Sequence, residues 1–494
     1  MPLSQHPSSL YQTIAAHYRS AIQAGSLRHG DRMPSLRDLA VRHGVSLSTA
    51  VQACRHLEDE RWLEARPRSG YFVRKPDPAP RLAPVNDPPM TEALDPAQYV
   101  GINAKVSEFL ALGRLQRFKT NLSVARCAPT LYPGRALQQL SLRSLRLQPD
   151  QWARACAPKG HSGFRHVVAK LALKSGMRLS PDDVQITQGC TEALMLALRA
   201  VAQPGDTVAV ESPTFYGLLQ ILETLGLKAL EIPTSPATGI SVEAVELALR
   251  TDRHIKAILV VPFLQNPCGA LMPDANKQRL LELAQTNDIA LIEDDCYSAL
   301  VNEHLPDGTS MRAIKSWDSS GHVIHCASFG KSLAPGMRLG WITGGKWQQR
   351  IEMLKFASSR NNEDLSQVAA AAFLASPAYE RHLQQLRSKL NTQRAETAQA
   401  IAQCFPEGTR MTIPHGGLSL WVELPQGISA TQLFHVALAE HLLISPGAMF
   451  SNSDRFDAKL RINCGWPMTP ELRKAFETLG RLATSLGHSP KGST

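Results

Sequence analysis

No stretch of this 494-residue sequence approaches the ~20 consecutive apolar residues that a membrane span requires. The longest apolar runs, such as Ala257–Leu264, have the length of a strand, so no membrane partner is expected. The first residues, MPLSQHPSSL, have neither a charged n-region nor an apolar h-region, and no secretory signal is predicted. Nine cysteines are scattered through the chain with no CxxC pair and an odd total. That pattern argues against a disulfide framework and against a zinc cluster. It suits a reducing cytoplasm, and no metal site is expected. No repeat of solenoid period is found either. What is present is a folded protein: 43% hydrophobic and 19% charged residues exclude wholesale disorder. The length allows roughly two to four domains at ~150 residues each.

The net charge of +10 is unevenly placed. Met1–Lys75 holds eleven Lys/Arg against six Asp/Glu, a net +5, so half the excess lies in less than a sixth of the chain. A compact basic segment on a nearly balanced body points to a polyanion partner for that segment, although a solvated basic face is the commoner meaning of charge alone.

Composition divides the chain into residues 1–75, a linker at 76–98, and a body at 99–494. In the first part, Leu10, Ile14, Tyr18 and Ile22 recur at about one helical turn, with Gly25 after them. Ser35 and Asp38 are spaced as a capping box for a helix with Leu36, Leu39 and Ala40 on one face. His43-Gly44-Val45 interrupts it, and Ser46 opens a third helix with Val51, Cys54 and Leu57 inward. A hairpin follows, with its turn at Pro67–Gly70. Seven prolines between Pro76 and Pro96 predict an extended, semi-rigid linker.

In the body, β-rich runs alternate with helical stretches: Val184–Thr187, Thr207–Glu211, His254–Pro262, Ile289–Asp294 and Val323–Phe329. That alternation predicts a mostly parallel sheet covered by helices on both faces. A large lobe of about 160–365 gives way to a smaller α+β lobe of about 366–494, with strands at Leu418–Leu424 and Lys459–Cys464.

The basic part has the order of a DNA reader. In a helix-turn-helix the second helix enters the major groove N-terminus first. Here that end carries Ser46-Leu47-Ser48-Thr49, short hydroxyls suited to phosphates or bases. Arg37 on the preceding helix can reach a phosphate or a guanine edge. The hairpin tip holds Arg66, Arg68 and Gly70, a basic wing able to approach a minor groove. Taken singly, Arg37 is as easily a surface arginine and Gly70 a turn residue. Together, Gly30-Asp31-Arg32-Met33-Pro34-Ser35-Leu36-Arg37-Asp38-Leu39-Ala40, Gly44-Val45-Ser46 and Ser69-Gly70-Tyr71-Phe72-Val73 resemble the GntR-type winged helix-turn-helix. The resemblance implies DNA contacts from Ser35, Arg37, Ser46, Ser48, Thr49, Arg66, Arg68 and Gly70. Leu47 departs from the pattern, since a basic residue is frequent there.

Six clusters in the body carry chemistry. Thr187–Leu194 is a strand, a glycine turn and a helix start, where free N–H groups attract anions. Glu211–Gly217 places Phe215 and Tyr216 just after a strand, for stacking on a flat ligand or simply as core. Gln265-Asn266-Pro267 follows another strand and is ordinarily a turn. Glu293-Asp294-Asp295 closes an apolar strand, where like charges repel unless one meets a cation such as a protonated pyridine nitrogen. Tyr297 comes three residues after Asp294. Ser328–Ser332 and Gly336–Gly340 supply Lys331, able to condense with an aldehyde, and Arg338 and Ser328, suited to a phosphate. A lone lysine is more often a surface residue. Arg461, inside an apolar strand, calls for an anion, either a structural carboxylate or that of a substrate.

Taken in order, these clusters resemble the fold-type I pyridoxal 5′-phosphate (PLP) enzymes of the aminotransferase family over about Asn121–Ser485. The resemblance implies that Lys331 forms the Schiff base with PLP and that Asp294 pairs with the pyridine nitrogen. Asn266 and Tyr297 would hold the phenolic oxygen, with Phe215 on the ring face. Gly189, Cys190, Thr191, Ser328 and Arg338 would take the phosphate, and Arg461 an amino acid's α-carboxylate. Cys190 stands where serine is usual, and Ala155 where a tyrosine normally reaches a neighbouring subunit.

Reader, linker and body in this order resemble the MocR subfamily of bacterial transcription regulators. This implies an α/β chain with an N-terminal winged helix-turn-helix, double-stranded operator DNA as partner, PLP or an amino acid as effector, and a homodimer. A working transaminase with an appended reader stays open. Many MocR regulators replace the Asn of the Gln-Asn-Pro element with an aromatic residue and space Asp and Tyr two apart. This chain keeps Asn266 and a spacing of three, as aminotransferases do.

Overall fold

The chain divides into two compact units, Met1–Arg81 and Leu82–Thr494. The computed structural model describes residues 10–23, 26–59, 62–66, 69–74, 82–88, 95–115, 118–153 and 156–488. No helix among them is long and apolar enough to cross a membrane.

Among the described residues, the first unit has three helices, α1 (Leu10–Gln23), α2 (Leu36–His43) and α3 (Leu47–Asp59), and a hairpin of β1 (Leu63–Arg66) and β2 (Gly70–Val73). The predicted apolar stripe of α1 is buried at Ile14, Tyr18 and Ile22, whereas Leu10, at the first position of the helix, is exposed. The Ser35 hydroxyl accepts the Asp38 N–H (3.2 Å) and donates to the Asp38 carboxylate (2.7 Å). That cap serves one of the free N–H groups at the start of α2. Leu39, Cys54, Leu57, Leu63 and Val73 join the stripe of α1 in one small core. Arg32 pairs with Phe72 in an isolated antiparallel bridge beside the hairpin.

The second unit contains β3 (Gln98–Tyr99), β4 (Thr120–Asn121), β5 (Gln185–Gln188), β6 (Thr207–Ser212), β7 (Lys228–Ser235) and β8 (Gly239–Ile240). Next come β9 (Ile255–Val260), β10 (Ala290–Asp295), β11 (Val323–Ser328) and β12 (Leu339–Thr343). The main sheet runs β3-β7-β6-β9-β10-β11-β12-β5, with β8 beside β7. Strands β6, β7, β9, β10 and β11 are mutually parallel, and β12 lies antiparallel between β11 and β5. The two-residue period of a strand sends successive side chains to opposite faces. Val208, Leu259, Ile292 and Ile324 pack on one side with Leu194 and Leu219. Their neighbours Ala209, Ile258, Leu291 and Val323 pack on the other with Val245 and Leu280. Both faces are therefore covered, which is why the strands read as continuous apolar runs.

A second sheet, β13 (Arg410–Thr412), β14 (Ser419–Glu423), β16 (Ser445–Pro446) and β17 (Lys459–Asn463), forms the smaller lobe in the order β13-β14-β17-β16, while β15 (Leu442–Leu443) pairs with β4. One 28-residue helix, Pro377–Cys404, touches both lobes. Leu383 packs with Phe164 and Trp341, Leu386 and Leu390 with Phe263 and Tyr297, and Ile401 with Trp421 and Phe434. Within the proline-rich stretch, residues 82–88 lie on this second unit. Val85 is buried, the Met411 N–H donates to Ala83 O (2.8 Å), and Arg410 Nε donates to Pro84 O (2.9 Å).

Candidate functional site

In the first unit, Ser46, Ser48 and Thr49 gather at the N-terminus of α3. The Ser46 oxygen lies 2.7 Å from that of Ser48 and 2.9 Å from that of Thr49, and it accepts the Thr49 N–H at 3.2 Å. Arg37 is exposed, and Val41, one turn later on the same face of α2, is 82% exposed. Leu47 is also half exposed at the first position of α3. Ser35 is exposed, with its hydroxyl proton committed to its cap. Arg66 ion-pairs with Glu64 at 2.6 Å and covers the Phe72 ring at 4.4 Å. Gly70 starts β2 with φ +97°, and the Arg32 guanidinium lies 3.8–3.9 Å from the position its missing Cβ would take. The fold thus adds Arg32, which motif spacing alone does not single out, to the wing. Arg68 lies outside the described residues.

In the second unit, β5 ends and a helix (Gly189–Val201) begins within one residue. Gly189 makes that turn at φ +72°, a left-handed conformation that favours glycine. A Cβ there would sit 3.2 Å from the Arg338 guanidinium, and a Cβ on Gly340 would fall 2.6 Å from the Gly189 carbonyl carbon. Both positions need a bare backbone for β12 to approach the helix start. Arg338 donates to Gln188 O at 3.1 Å, so its charge lies beside the helix N–H groups. Thr191 is exposed one turn in, and Ser328 accepts the Gly330 N–H at 3.1 Å. Free helix-start N–H groups, a guanidinium and two hydroxyls together are groups that could hold a phosphate.

Cys190 donates its thiol to Asp294 Oδ1 at 3.1 Å. Burial raises the pKa of Asp294, opposed by hydrogen bonds from Cys190 and Cys296. The Cys190 thiol is itself pushed well up by its contact with Cys296 and by burial. Lys331 donates to Ala125 O at 2.7 Å and stands 5.6 Å over the Tyr297 ring. Burial lowers its pKa, which increases the share of free amine near neutral pH. Asn266 bridges Tyr297 and Arg461: its amide donates to the Tyr297 hydroxyl (3.3 Å), and its oxygen accepts from Arg461 (2.9 Å). Arg461 is 1% exposed, donates to Ser123 O at 2.5 Å, and covers the Phe450 ring at 4.9 Å. Its Nε has no hydrogen-bond partner among the described residues. Burial lowers its pKa, while the Tyr216 hydroxyl favours the charge.

The fold therefore joins Asp294 to Cys190, Asn266 to Tyr297 and Arg461, Lys331 to Tyr297, and Arg338 to Gly189. The Phe215 ring packs on Tyr216 (4.7 Å between centroids), and its edge fills the space beside Gly217. The sequence offers Tyr216 only as one of two aromatics after a strand, and it does not single out Cys296 or the carbonyls of Ser123 and Ala125. The carbonyls carry no residue identity to read, while Tyr216 and Cys296 sit beside residues that are singled out. Ala155 lies outside the described residues.

Residues 132–479 match the aminotransferase class I and II family, and residues 10–73 the bacterial regulatory proteins of the gntR family. An uncharacterised HTH-type transcriptional regulator of Escherichia coli, YjiR, is 37% identical, over 95% of this chain and 98% of that protein. A second from the same organism, YdcR, is 36% identical over 96% and 98%. Among solved structures, the multiple substrate aminotransferase of Thermococcus profundus covers 78% of this chain and 95% of its own, with a TM-score of 0.71 and 25% identity.

Proposed function

This chain belongs to the aminotransferase class I and II family, behind a gntR-type reader as in the MocR-type transcription regulators, and we propose that its body binds PLP and couples an amino acid to operator binding. The family is PLP-dependent, and the reader implies DNA binding. The observation that carries the proposal is Lys331: a partly buried amine, bonded to a main-chain carbonyl, with its pKa lowered by burial. A structural lysine in such a place is normally paired with a carboxylate.

The residues around it fit a phosphorylated pyridine aldehyde. The glycine-lined cradle with Arg338 suits the phosphate, and Gly189, Cys190, Thr191 and Ser328 complete it. Asp294, whose thiol contact is replaceable, would hold a protonated ring nitrogen. Asn266 and Tyr297 would hold the phenolic oxygen, and Phe215 would cover the ring. The unpartnered Nε of Arg461 would bind an α-carboxylate. When bound, PLP supplies an aldehyde carbon and an electron-withdrawing ring. The chain's part is to present the Lys331 amine in its free form and to keep the nitrogen opposite Asp294 protonated. An amino acid alters DNA affinity only by its differential affinity for the two states of the protein. A homodimer would place two readers on two half-sites and raise their effective concentration.

Asn266 and its bond to Tyr297 also favour a second reading, a full transaminase, because an amide and a phenol so paired could together hold the phenolic oxygen of PLP during turnover. Absorbance spectroscopy separates the two. PLP added to the full chain is expected to give a visible band that Lys331→Ala lacks entirely. A band surviving in Lys331→Ala removes the assignment. If an amino acid bleaches the band and a 2-oxo acid restores it, the chain turns over. If the amino acid shifts the band without loss, it is a sensor.

A further inference from the structure

A second cavity lies behind β10 and β11, on the face away from Asp294. It measures about 1000 Å³ counted to its open mouth. Its floor is polar. Glu293, fully buried, accepts the N–H groups of Ile314 (2.9 Å) and Lys315 (3.1 Å) and bonds His325 Nδ1 at 3.0 Å. Asp295 accepts the Ser298 N–H at 3.1 Å. His325 is fully buried, yet its Nε2 has no hydrogen-bond partner among the described residues and lies 3.9 Å from Asp295 Oδ2, beyond hydrogen-bond reach. Both residues line the cavity, with Trp341 tilted against His325 at 4.9 Å and with Met177 and Met311 in the walls. An exposed ion pair, Lys174–Glu380, also lines it.

A buried ring nitrogen without a partner is costly, and here it belongs to a residue that lines the cavity. Two atoms 3.9 Å apart are bridged by one oxygen at about 2.8 Å from each, with an angle near 90° at that oxygen. The bridging atom must face an imidazole and a carboxyl at once. An ammonium there would confront His325, and a carboxylate would confront Asp295. Burial opposes charge on His325, but the Glu293 and Asp295 carboxylates outweigh it and raise its pKa, which favours a proton on Nε2 as well as on Nδ1. A hydroxyl oxygen both accepts and donates. Methionine sulfurs and an indole in the walls suit an aromatic body.

We propose that this cavity, which adjoins the cofactor site at Ser328, is a second binding site, for a small aromatic molecule bearing a hydroxyl group whose oxygen bridges His325 and Asp295. Its floor residues alternate along β10 and β11 with Asp294 and Cys326, so the occupant of one face shares two strands with the cofactor site on the other.

Isothermal titration of the PLP-saturated full chain with p-cresol and with toluene tests this. p-Cresol is expected to bind one molecule per chain, at least tenfold more tightly than toluene. Asp295→Ala should bring the two within about threefold. Leu171→Trp, which fills the apolar wall, should abolish binding of both while leaving the visible cofactor band and the melting temperature unchanged. Those two readouts check that each variant is folded, and either variant alone suffices as a test. No p-cresol binding up to its solubility, equal affinity for toluene, or unchanged p-cresol binding in a folded variant would each overturn the proposal.

Discussion

The reader and the body place their working side chains in opposite settings. In the reader they are mostly exposed and bonded to one another: Ser46 to Ser48 and Thr49, Arg66 to Glu64. In the body the central ones are buried and linked in a chain, from Arg461 through Asn266 to Tyr297, with the half-buried Lys331 over that ring, while Thr191 and Arg338 on the phosphate side are exposed. Exposed cations need little desolvation to meet a polyanion, so their contribution is electrostatic and strongly dependent on salt. Buried groups have been desolvated during folding and act only in one geometry. A surface of the first kind is completed by its partner, whereas a site of the second kind exists before its ligand arrives.

The sharpest way to break this contrast is Arg461→Ala. Removing a buried charge that holds Asn266 and Ser123 is expected to weaken amino-acid binding by about 2–5 kcal/mol, measured by absorbance titration of the PLP-loaded chain. A loss of only twofold would mean that Arg461 is a structural group.

Glu211 comes next. It is buried behind Gln265, and burial raises its pKa from 4.5 to about 8. A neutral Glu211 is favoured in the folded chain, so its stabilising contribution is full below about pH 4.5 and is lost as pH rises towards 8. Between pH 6 and 9 the body should lose roughly 2–3 kcal/mol that Glu211→Gln retains, seen as a smaller fall in its melting temperature. Equal falls would show that Glu211 ionises freely in the fold.

Arg37→Ala should cost about 1–3 kcal/mol of operator binding in a mobility-shift titration and leave the cofactor band intact. Unchanged binding would remove Arg37 from the reader. The smallest effect belongs to Ser35→Ala. Loss of its cap should lower the reader's stability by about 1 kcal/mol, with operator affinity falling only in step with the unfolded fraction. A larger drop in affinity at full folding would assign Ser35 a direct contact.

Lys331, Asp294 and Arg338 were legible because each stands in a motif whose residue type the chemistry dictates. The segment that receives Lys331 and Arg461 was not, since Ser123 and Ala125 act through carbonyls that any residue supplies. The pairing of Arg66 with Glu64 was in principle readable, because residues two apart on a strand share a face. Five strands of the main sheet stood out as apolar runs. Strand β7 did not, because Glu231 and Pro233 interrupt it, and Glu231 is buried by accepting from Ser212 and Ser451. Likewise, β12 was hidden behind the glycine–arginine motif that precedes it. In the proline-rich stretch, residues 82–88 form no helix or strand, and two of their carbonyls and Val85 are bound to the body.

The helix Pro377–Cys404 has a mechanical consequence. Its 28 residues make a rod about 42 Å long at ~1.5 Å per residue. Leu383 is clamped in the large lobe, Ile401 in the small one, and Leu386 and Leu390 rest in the cluster that contains Tyr297. That middle contact is a fulcrum beside the candidate cofactor site. The Cys404 end lies about 21–27 Å beyond that fulcrum, so a tilt of about 3° displaces it by roughly 1 Å, a lever arm that passes a change too small to break a hydrogen bond at Tyr297 on to the small lobe.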